Sequence, residues 1–120
     1  MSDQNLDFDK LKAFVLHVFS QLGGAVTAAM IYLGDRLGLY RAMQGVGPLS
    51  SDDLAAKTGL NARWLREWLR AQAAAKLVEY RGDGRFELSA EAGLVLAEEN
   101  APVFAAGGFH SLPQQFAILE

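Results

Sequence analysis

Five arginines in the second half of the sequence form the one pattern of residue types that could carry out recognition chemistry. Three recur at one turn of a helix and two flank a glycine-rich turn: Arg63, Arg66, Arg70, Arg81 and Arg85. Guanidinium groups at this spacing can contact the phosphates or the guanine edges of a DNA duplex. Glu67 lies four residues after Arg63 and three before Arg70, so it can pair with both along one helix face. DNA binding and a solvated, ion-paired helix face are therefore the two alternatives for these arginines.

No other pattern predicts a catalytic, cofactor-binding or metal site, and no residue is assigned to any of these three classes. His17 and His110 are far apart in the sequence, and neither has another histidine or an acid at ligand spacing, which favours structural roles. The pair Asp52-Asp53 is explained by the preference of acids for the first turn of a helix. The sequence contains no glycine-rich phosphate or dinucleotide motif.

The composition is that of one folded domain without disulfides. The 120 residues are 51% hydrophobic and 21% charged and include no cysteine, which is compatible with a cytoplasmic location. A formal charge of −3 argues against a general nucleic-acid binder. Residues 61–85 differ from the rest, because they hold six Lys or Arg against three acids. The basic character is thus confined to the segment that contains the five arginines.

This segment lies within residues 48–89, whose pattern predicts a helix-turn-helix. Ser51 is the candidate N-cap of a short first helix, and Gly59 ends it because glycine enters the left-handed conformation at little cost. Asn61 caps a second helix. The apolar stripe of the second helix comprises Trp64, Leu65, Trp68, Leu69 and Ala75. Both tryptophans are assigned to packing beneath the helix.

A two-stranded hairpin is predicted to follow the second helix. Residues 77–80 and 85–88 alternate in the manner of strands, and Gly82-Asp83-Gly84 supplies the turn. The predicted fold class is therefore mainly α, a winged helix-turn-helix with N-terminal dimerisation helices and a small β-hairpin wing.

The N-terminal helices are the most apolar part of the chain. Two adjoining helices are predicted, over residues 8–22 and 25–37, with Gly23-Gly24 between them. Both are apolar beyond one face, which predicts a homodimer through residues 8–37 with Phe14, Phe19 and Met30 as candidate contacts. One alternative is that the winged domain itself covers the two helices. The other is a transmembrane helix, because residues 13–34 carry no formal charge.

The predicted domain organisation has three segments: N-terminal helices over residues 1–46, the winged helix-turn-helix over 47–97, and a linker over 98–120. Ser89 and Glu91 cap a short helix that contains Leu94, Val95 and Leu96, and Asn100 and Pro102 are predicted to stop it. The last stretch begins a new helical pattern with Phe116, Ile118 and Leu119.

Several runs of sequence resemble the N-terminal winged-helix region of bacterial S-adenosylmethionine-dependent small-molecule methyltransferases of the O-methyltransferase type. The resemblance covers residues 33–99 and is carried by LGDRLGLYRAM, GPLSSDDLAAKTGLNARWLREWLRAQAAAKLVEY and GRFELSAEAGLVLAEE. The following run, APVFAAGGFHSLPQQF, is similar to the linker that leads to the catalytic half of these enzymes.

The resemblance implies a non-catalytic domain that dimerises and helps to close over a small-molecule acceptor. In such enzymes a separate Rossmann-like domain binds S-adenosylmethionine, so the cofactor is expected for the parent enzyme and not for this chain, which is interpreted as a fragment or a truncated product. The chain alone is expected to have no activity, to bind duplex DNA no more than weakly and non-specifically, and to enter no membrane. The alternatives are a small dimeric winged-helix DNA-binding transcription regulator and a free-standing interaction module.

Overall fold

The computed structural model of the protein describes residues 5–119 and has a mainly helical fold with a small antiparallel sheet, as predicted. The outermost residues of the predicted segments 1–46 and 98–120, namely 1–4 and 120, lie outside the described residues. In chain order the elements are α1 (Phe8–Arg36), α2 (Leu39–Met43), β1 (Leu49–Ser50), α3 (Ser51–Thr58), α4 (Ala62–Ala74), β2 (Glu79–Gly82), β3 (Arg85–Glu87), α5 (Ala90–Leu96), a 3-10 helix (Ala106–Ser111) and α6 (Leu112–Ile118).

The N-terminal region is one continuous helix, so the prediction of two adjoining helices is wrong. The 29 residues of α1 run through Gly23 and Gly24 without a break. Glycine destabilises a helix interior by only about 1 kcal/mol per residue, and it still donates its backbone N–H to the helical hydrogen-bond pattern. The helical turns on both sides can therefore keep the helix continuous. The side chain of Asp7 caps the first turn, and Gly38, with a φ of 73°, turns the chain into α2.

The cap of α3 lies one residue earlier than predicted. Ser50, not Ser51, is the N-cap: its Oγ accepts a hydrogen bond from the Asp53 backbone N–H at 3.1 Å. The Asp53 carboxylate accepts one from the Ser50 N–H at 3.0 Å, which completes a capping box and, with the side chain of Ser50, lowers the pKa of Asp53. Gly59 ends α3 at a φ of 75° and Asn61 caps α4, both as predicted.

The wing is a three-stranded sheet in which β3 lies between β1 and β2. The predicted hairpin is present, with its first strand shifted to Glu79–Gly82. Asp83 and Gly84, with φ values of 52° and 71°, form a two-residue turn of the kind that suits the strand twist. Sequence reasoning missed β1, because two residues are too few to show an alternating pattern.

The core lies between α4, the end of α1, α2 and the sheet. Leu65, Trp68 and Leu69 of the predicted α4 stripe are buried. Trp64 is 36% exposed, which corrects its assignment to the core. Gln72, a polar residue, is also part of the buried face of α4 and has no exposed surface.

The last third of the chain folds back onto α1. Ser89 caps α5 as predicted, but the helix ends at Leu96, before the predicted stop at Asn100. The 3-10 helix packs against α1 and buries Ala106 completely. The predicted helical pattern that includes Phe116 corresponds to α6.

Gln72 is held in the core by Tyr40, whose hydroxyl donates a hydrogen bond to Gln72 Oε1. Gln72 Nε2 is buried without a partner among the described residues. Burial, with a smaller contribution from the charge of Asp35, raises the pKa of Tyr40 well above its ordinary value.

We expect Tyr40→Phe to lower the free energy of unfolding by about 1–2 kcal/mol at neutral pH, since it leaves the buried amide with no partner on either atom. The raised pKa of Tyr40 gives stability that is complete below the unfolded-state pKa of about 10 and declines as the pH rises above it. The difference between wild type and Tyr40→Phe should therefore shrink in that alkaline range. Urea denaturation at pH about 7 and about 10.5 measures both values, and an undiminished difference would contradict the assignment.

Candidate functional surfaces

The first two thirds of α1 present a stripe of uncovered apolar side chains. Every described residue from 5 to 26 is exposed. With the exception of Leu16, the large apolar side chains fall on one side of the helix at 100° per residue. We call this set the α1 stripe: Phe8, Leu11, Phe14, Val15, Val18, Phe19, Leu22 and Val26, which are between 43% and 75% exposed.

The α1 stripe faces away from the rest of the domain. The residues of α1 that are buried in the domain are Ile31, Gly34 and Asp35. By helical geometry these lie on roughly the opposite side of α1 from the stripe. The core of the domain therefore leaves the stripe uncovered, and the alternative that the winged domain covers the apolar helix is not realised for residues 8–26. Met30, in contrast, is partly buried and packs against the core, so it is less exposed than the other two candidate contacts, Phe14 and Phe19.

By length and composition, α1 could also cross a membrane. Its most apolar 18-residue window contains at most two charged residues, and only 6% of that window is buried. The same length and composition are found in helices of soluble proteins that pair with a second apolar surface. The α1 stripe is thus a surface that requires an apolar partner, either protein or lipid.

The end of α1 is fixed by close contact with two core aromatics. A Cβ placed on Gly34 would lie 2.6 Å from Trp68 Cζ2 and 2.7 Å from Tyr40 Cε2. The indole N–H of Trp68 donates a hydrogen bond of 3.0 Å to the carbonyl oxygen of Met30. The direction in which α1 projects is therefore set by the winged domain.

A polar cluster joins the same end of α1 to the chain after the wing. The Asp35 carboxylate, only 8% exposed, contacts Arg41 Nη1 at 3.2 Å and also the His110 Nε2. The ring of His110 packs edge-on against Tyr32, with centroids 5.4 Å apart. His110 therefore has the predicted structural role, but its partner Asp35 is 75 residues away and could not be identified from spacing.

The arginines of α4 lie on its exposed face, opposite the buried stripe. Glu67 Oε1 lies 3.8 Å from Arg66 and 3.9 Å from Arg70, and within residues 5–119 no ion pair joins it to Arg63. The predicted pairing of Glu67 is thus present for Arg70 and absent for Arg63. These ion pairs are long and exposed, so they hold the side chains weakly.

One of the two arginines of the wing is neutralised by glutamates. Arg81 is bound by Glu87 at 2.7 Å and by Glu79 at 3.3 Å, and these contacts raise the pKa of Arg81. Arg81 is therefore not available as a free cation among the five arginines. Within residues 5–119 no group of three His, Asp or Glu side chains is arranged to hold a metal ion.

A groove runs between α4 and the wing. It has a volume of about 470 Å³ and is lined by Arg66 and Arg70 on one side and by residues of α3, the hairpin and β1 on the other. Tyr80 and Phe86, whose ring centroids are 5.1 Å apart, also line it. The arginines on α4 thus border a cavity as well as the solvent.

Residues 25–98, more than half of the chain, match the Rv2258c-like winged HTH domain. The chain belongs to this family. The match begins near the end of the α1 stripe, so most of the stripe precedes the part that defines the Rv2258c-like domain. No curated protein matches the sequence.

Solved structures that this Rv2258c-like domain resembles include three methyltransferases. The mitomycin 7-O-methyltransferase MmcR has a TM-score of 0.74 and 26% identity, over 94% of this chain and 35% of its own. CalO1, a methyltransferase in calicheamicin biosynthesis solved in its SAH-bound form, has a TM-score of 0.66 and 28% identity, over 88% and 29%. RosA, a riboflavin-derivative dimethyltransferase from Streptomyces davawensis, has a TM-score of 0.61 and 27% identity, over 72% and 25%.

This chain therefore spans between a quarter and about a third of the length of the structures that it matches. Its resemblance is to the N-terminal domain of O-methyltransferases, as the sequence runs in residues 33–99 predict. Family and fold are thus established for the Rv2258c-like domain.

Proposed function

We propose that this chain is the dimerisation and acceptor-capping domain of an S-adenosylmethionine-dependent small-molecule methyltransferase. The reacting groups and the cofactor site belong, in this proposal, to the catalytic domain that such an enzyme carries in addition. The domain supplies the contact between two subunits and part of the cover over the acceptor. It acts in the cytoplasm and does not itself bind the cofactor.

The observation that carries the proposal is the size and direction of the α1 stripe. Its eight residues are 43% to 75% exposed and form one continuous apolar face along about two thirds of α1, and a contiguous exposed apolar patch of this extent marks an interaction site. A second copy of the chain offers an identical stripe, and two such helices can cover each other about a twofold axis. We therefore assign the stripe to a homodimer.

The winged-helix DNA-binding regulator has less support. Arg81 on the wing is neutralised by two glutamates, and Glu67 lies among the arginines of α4, where it would face DNA phosphates. DNA affinity depends on free cations that replace counterions on the phosphates. The similarity to methyltransferases points to the enzyme class and not to a regulator.

A matched pair of leucines tests the homodimer. Leu22 lies in the α1 stripe and Leu16 lies outside it, and their exposed fractions are nearly the same, 61% and 62%. We expect the wild type to sediment as a dimer at tens of micromolar and Leu22→Glu to weaken the dimer at least about a hundredfold, because a carboxylate would be buried in an apolar interface. Leu16→Glu, with the same change of charge and size, should remain dimeric.

Three outcomes would overturn the homodimer: a monomeric wild type, equal loss of association in the two variants, or association that survives Leu22→Glu. Flotation with neutral phospholipid vesicles separates the membrane alternative. A protein that is monomeric in buffer and floats with the vesicles would assign the α1 stripe to lipid.

A further inference from the structure

We infer that the groove between α4 and the wing is a binding site for a small aromatic carboxylate. This groove is separate from the α1 stripe, and the inference does not depend on the proposed dimer. It is lined by Arg66 and Arg70 of α4, by Tyr80 and Phe86 of the sheet, and by Ser51 and Asp52 at the start of α3.

The two arginines provide unused hydrogen-bond donors. Within residues 5–119 the nearest acidic oxygen to each guanidinium is Glu67 Oε1, at 3.8 and 3.9 Å, which is beyond hydrogen-bond length. Arg81 differs, since Glu87 holds it at 2.7 Å. Arg66 and Arg70 lie one helical turn apart, where like charges repel each other. An anion between them would relieve this repulsion and accept the paired N–H groups that a carboxylate fits best.

The aromatic residues that line the groove, Tyr80 and Phe86, favour a ligand with an aromatic ring. Tyr80 is 58% exposed, yet its hydroxyl accepts a hydrogen bond from the Gly84 N–H at 3.1 Å. The ring also packs at 57° against the buried ring of Phe86. The hydrogen bond of its hydroxyl and the packing of its ring thus both restrict Tyr80. An aromatic side chain that is already fixed loses little conformational entropy when a flat ligand packs against it.

The volume and the charge distribution limit the ligand further. A cavity of about 470 Å³ lies in the range of sites for small molecules. Asp52, at the start of α3, and Asp83, at the hairpin turn, also line it, and Asp52 lines a neighbouring cavity together with Arg66. A ligand with one anionic end toward α4 and a neutral or hydrogen-donating remainder suits this arrangement, whereas a polyanion such as a DNA backbone would meet both carboxylates.

Benzoate and its neutral analogue benzamide test the site, because they have nearly the same shape and differ in charge. In an NMR titration of the 15N-labelled chain to about 10 mM ligand, a range suited to weak fragments, we expect benzoate to shift the backbone amides of Ser51, Asp52 and Gly84 in a saturable manner. Benzamide should not. Arg66→Gln and Arg70→Gln should each weaken benzoate binding by roughly tenfold, the effect of one charge-assisted hydrogen bond.

Arg81→Gln is the matched control, since it removes the same charge from a residue that does not line the groove. It should leave the benzoate affinity within about twofold. The inference is wrong if benzoate causes no saturable shift, if benzamide or inorganic phosphate binds equally well, or if Arg81→Gln weakens binding as much as Arg66→Gln. Tight duplex DNA binding at physiological salt that requires Arg66 and Arg70 would assign the groove to nucleic acid instead.

Discussion

Gly34→Val is expected to lower the free energy of unfolding by about 3 kcal/mol, and Gly34→Ala by about 2 kcal/mol, because both overpack a closely filled core. Even the smaller Cβ would approach Trp68 to 2.6 Å and Tyr40 to 2.7 Å, below any distance that real Cβ contacts adopt. Both rings are about 1% exposed, so neither can swing out of the way. Chemical denaturation followed by circular dichroism measures the loss.

Gly23→Ala is the control for this prediction, because Gly23 lies in the same helix with nothing within 4 Å of its added Cβ. Here alanine should stabilise the helix by roughly 0.5–1 kcal/mol, since glycine loses more backbone entropy on folding. The two substitutions are chemically identical and have opposite expected signs. If Gly34→Ala were as well tolerated as Gly23→Ala, the close approach of α1 to the two aromatics would be wrong.

The helix-turn-helix could be predicted from sequence because its signals are local. Gly59 ends α3 and Asn61 caps α4 two residues later, and each acts within one turn of backbone at the predicted position. Leu65, Trp68 and Leu69 are buried because their spacing matches the period of the helix. The resemblance to methyltransferase domains was carried by the same local runs.

The sequence predictions that are wrong concern features that depend on residues beyond the local turn. The continuity of α1 through Gly23 and Gly24 depends on the balance between helix propensity and the turns on both sides, which residue type alone does not reveal. Gln72 is buried because Tyr40, more than thirty residues earlier, gives it a hydrogen bond. The direction of the α1 stripe relative to the core depends on how the end of α1 packs against Trp68 of α4, a contact between residues far apart in the sequence.

The cluster around Asp35 is the feature furthest from any sequence signal, and Asp35→Ala tests what it does. We expect this substitution to lower the free energy of unfolding by about 2 kcal/mol, less than for a fully buried ion pair because Arg41 and His110 are 40% and 43% exposed. Arg41 would keep its 2.7 Å hydrogen bond to the backbone oxygen of residue 35 and its contact with Glu99. His110 would lose its carboxylate and retain only the edge-on contact with Tyr32.

The loss should therefore be uneven along the chain. In the native protein the 3-10 helix is held to α1 by His110 and by the buried Ala106. Amide hydrogen exchange in Asp35→Ala should be faster in residues 106–118 than the global destabilisation alone accounts for, while α3 and α4 follow the global value. Glu99→Gln, which removes an exposed partner of Arg41, should change stability by less than about 0.5 kcal/mol and leave that exchange unaltered. Uniform acceleration throughout the Asp35→Ala domain would mean that Asp35 stabilises the core generally and does not fasten the segment after the wing to the helix that carries the α1 stripe.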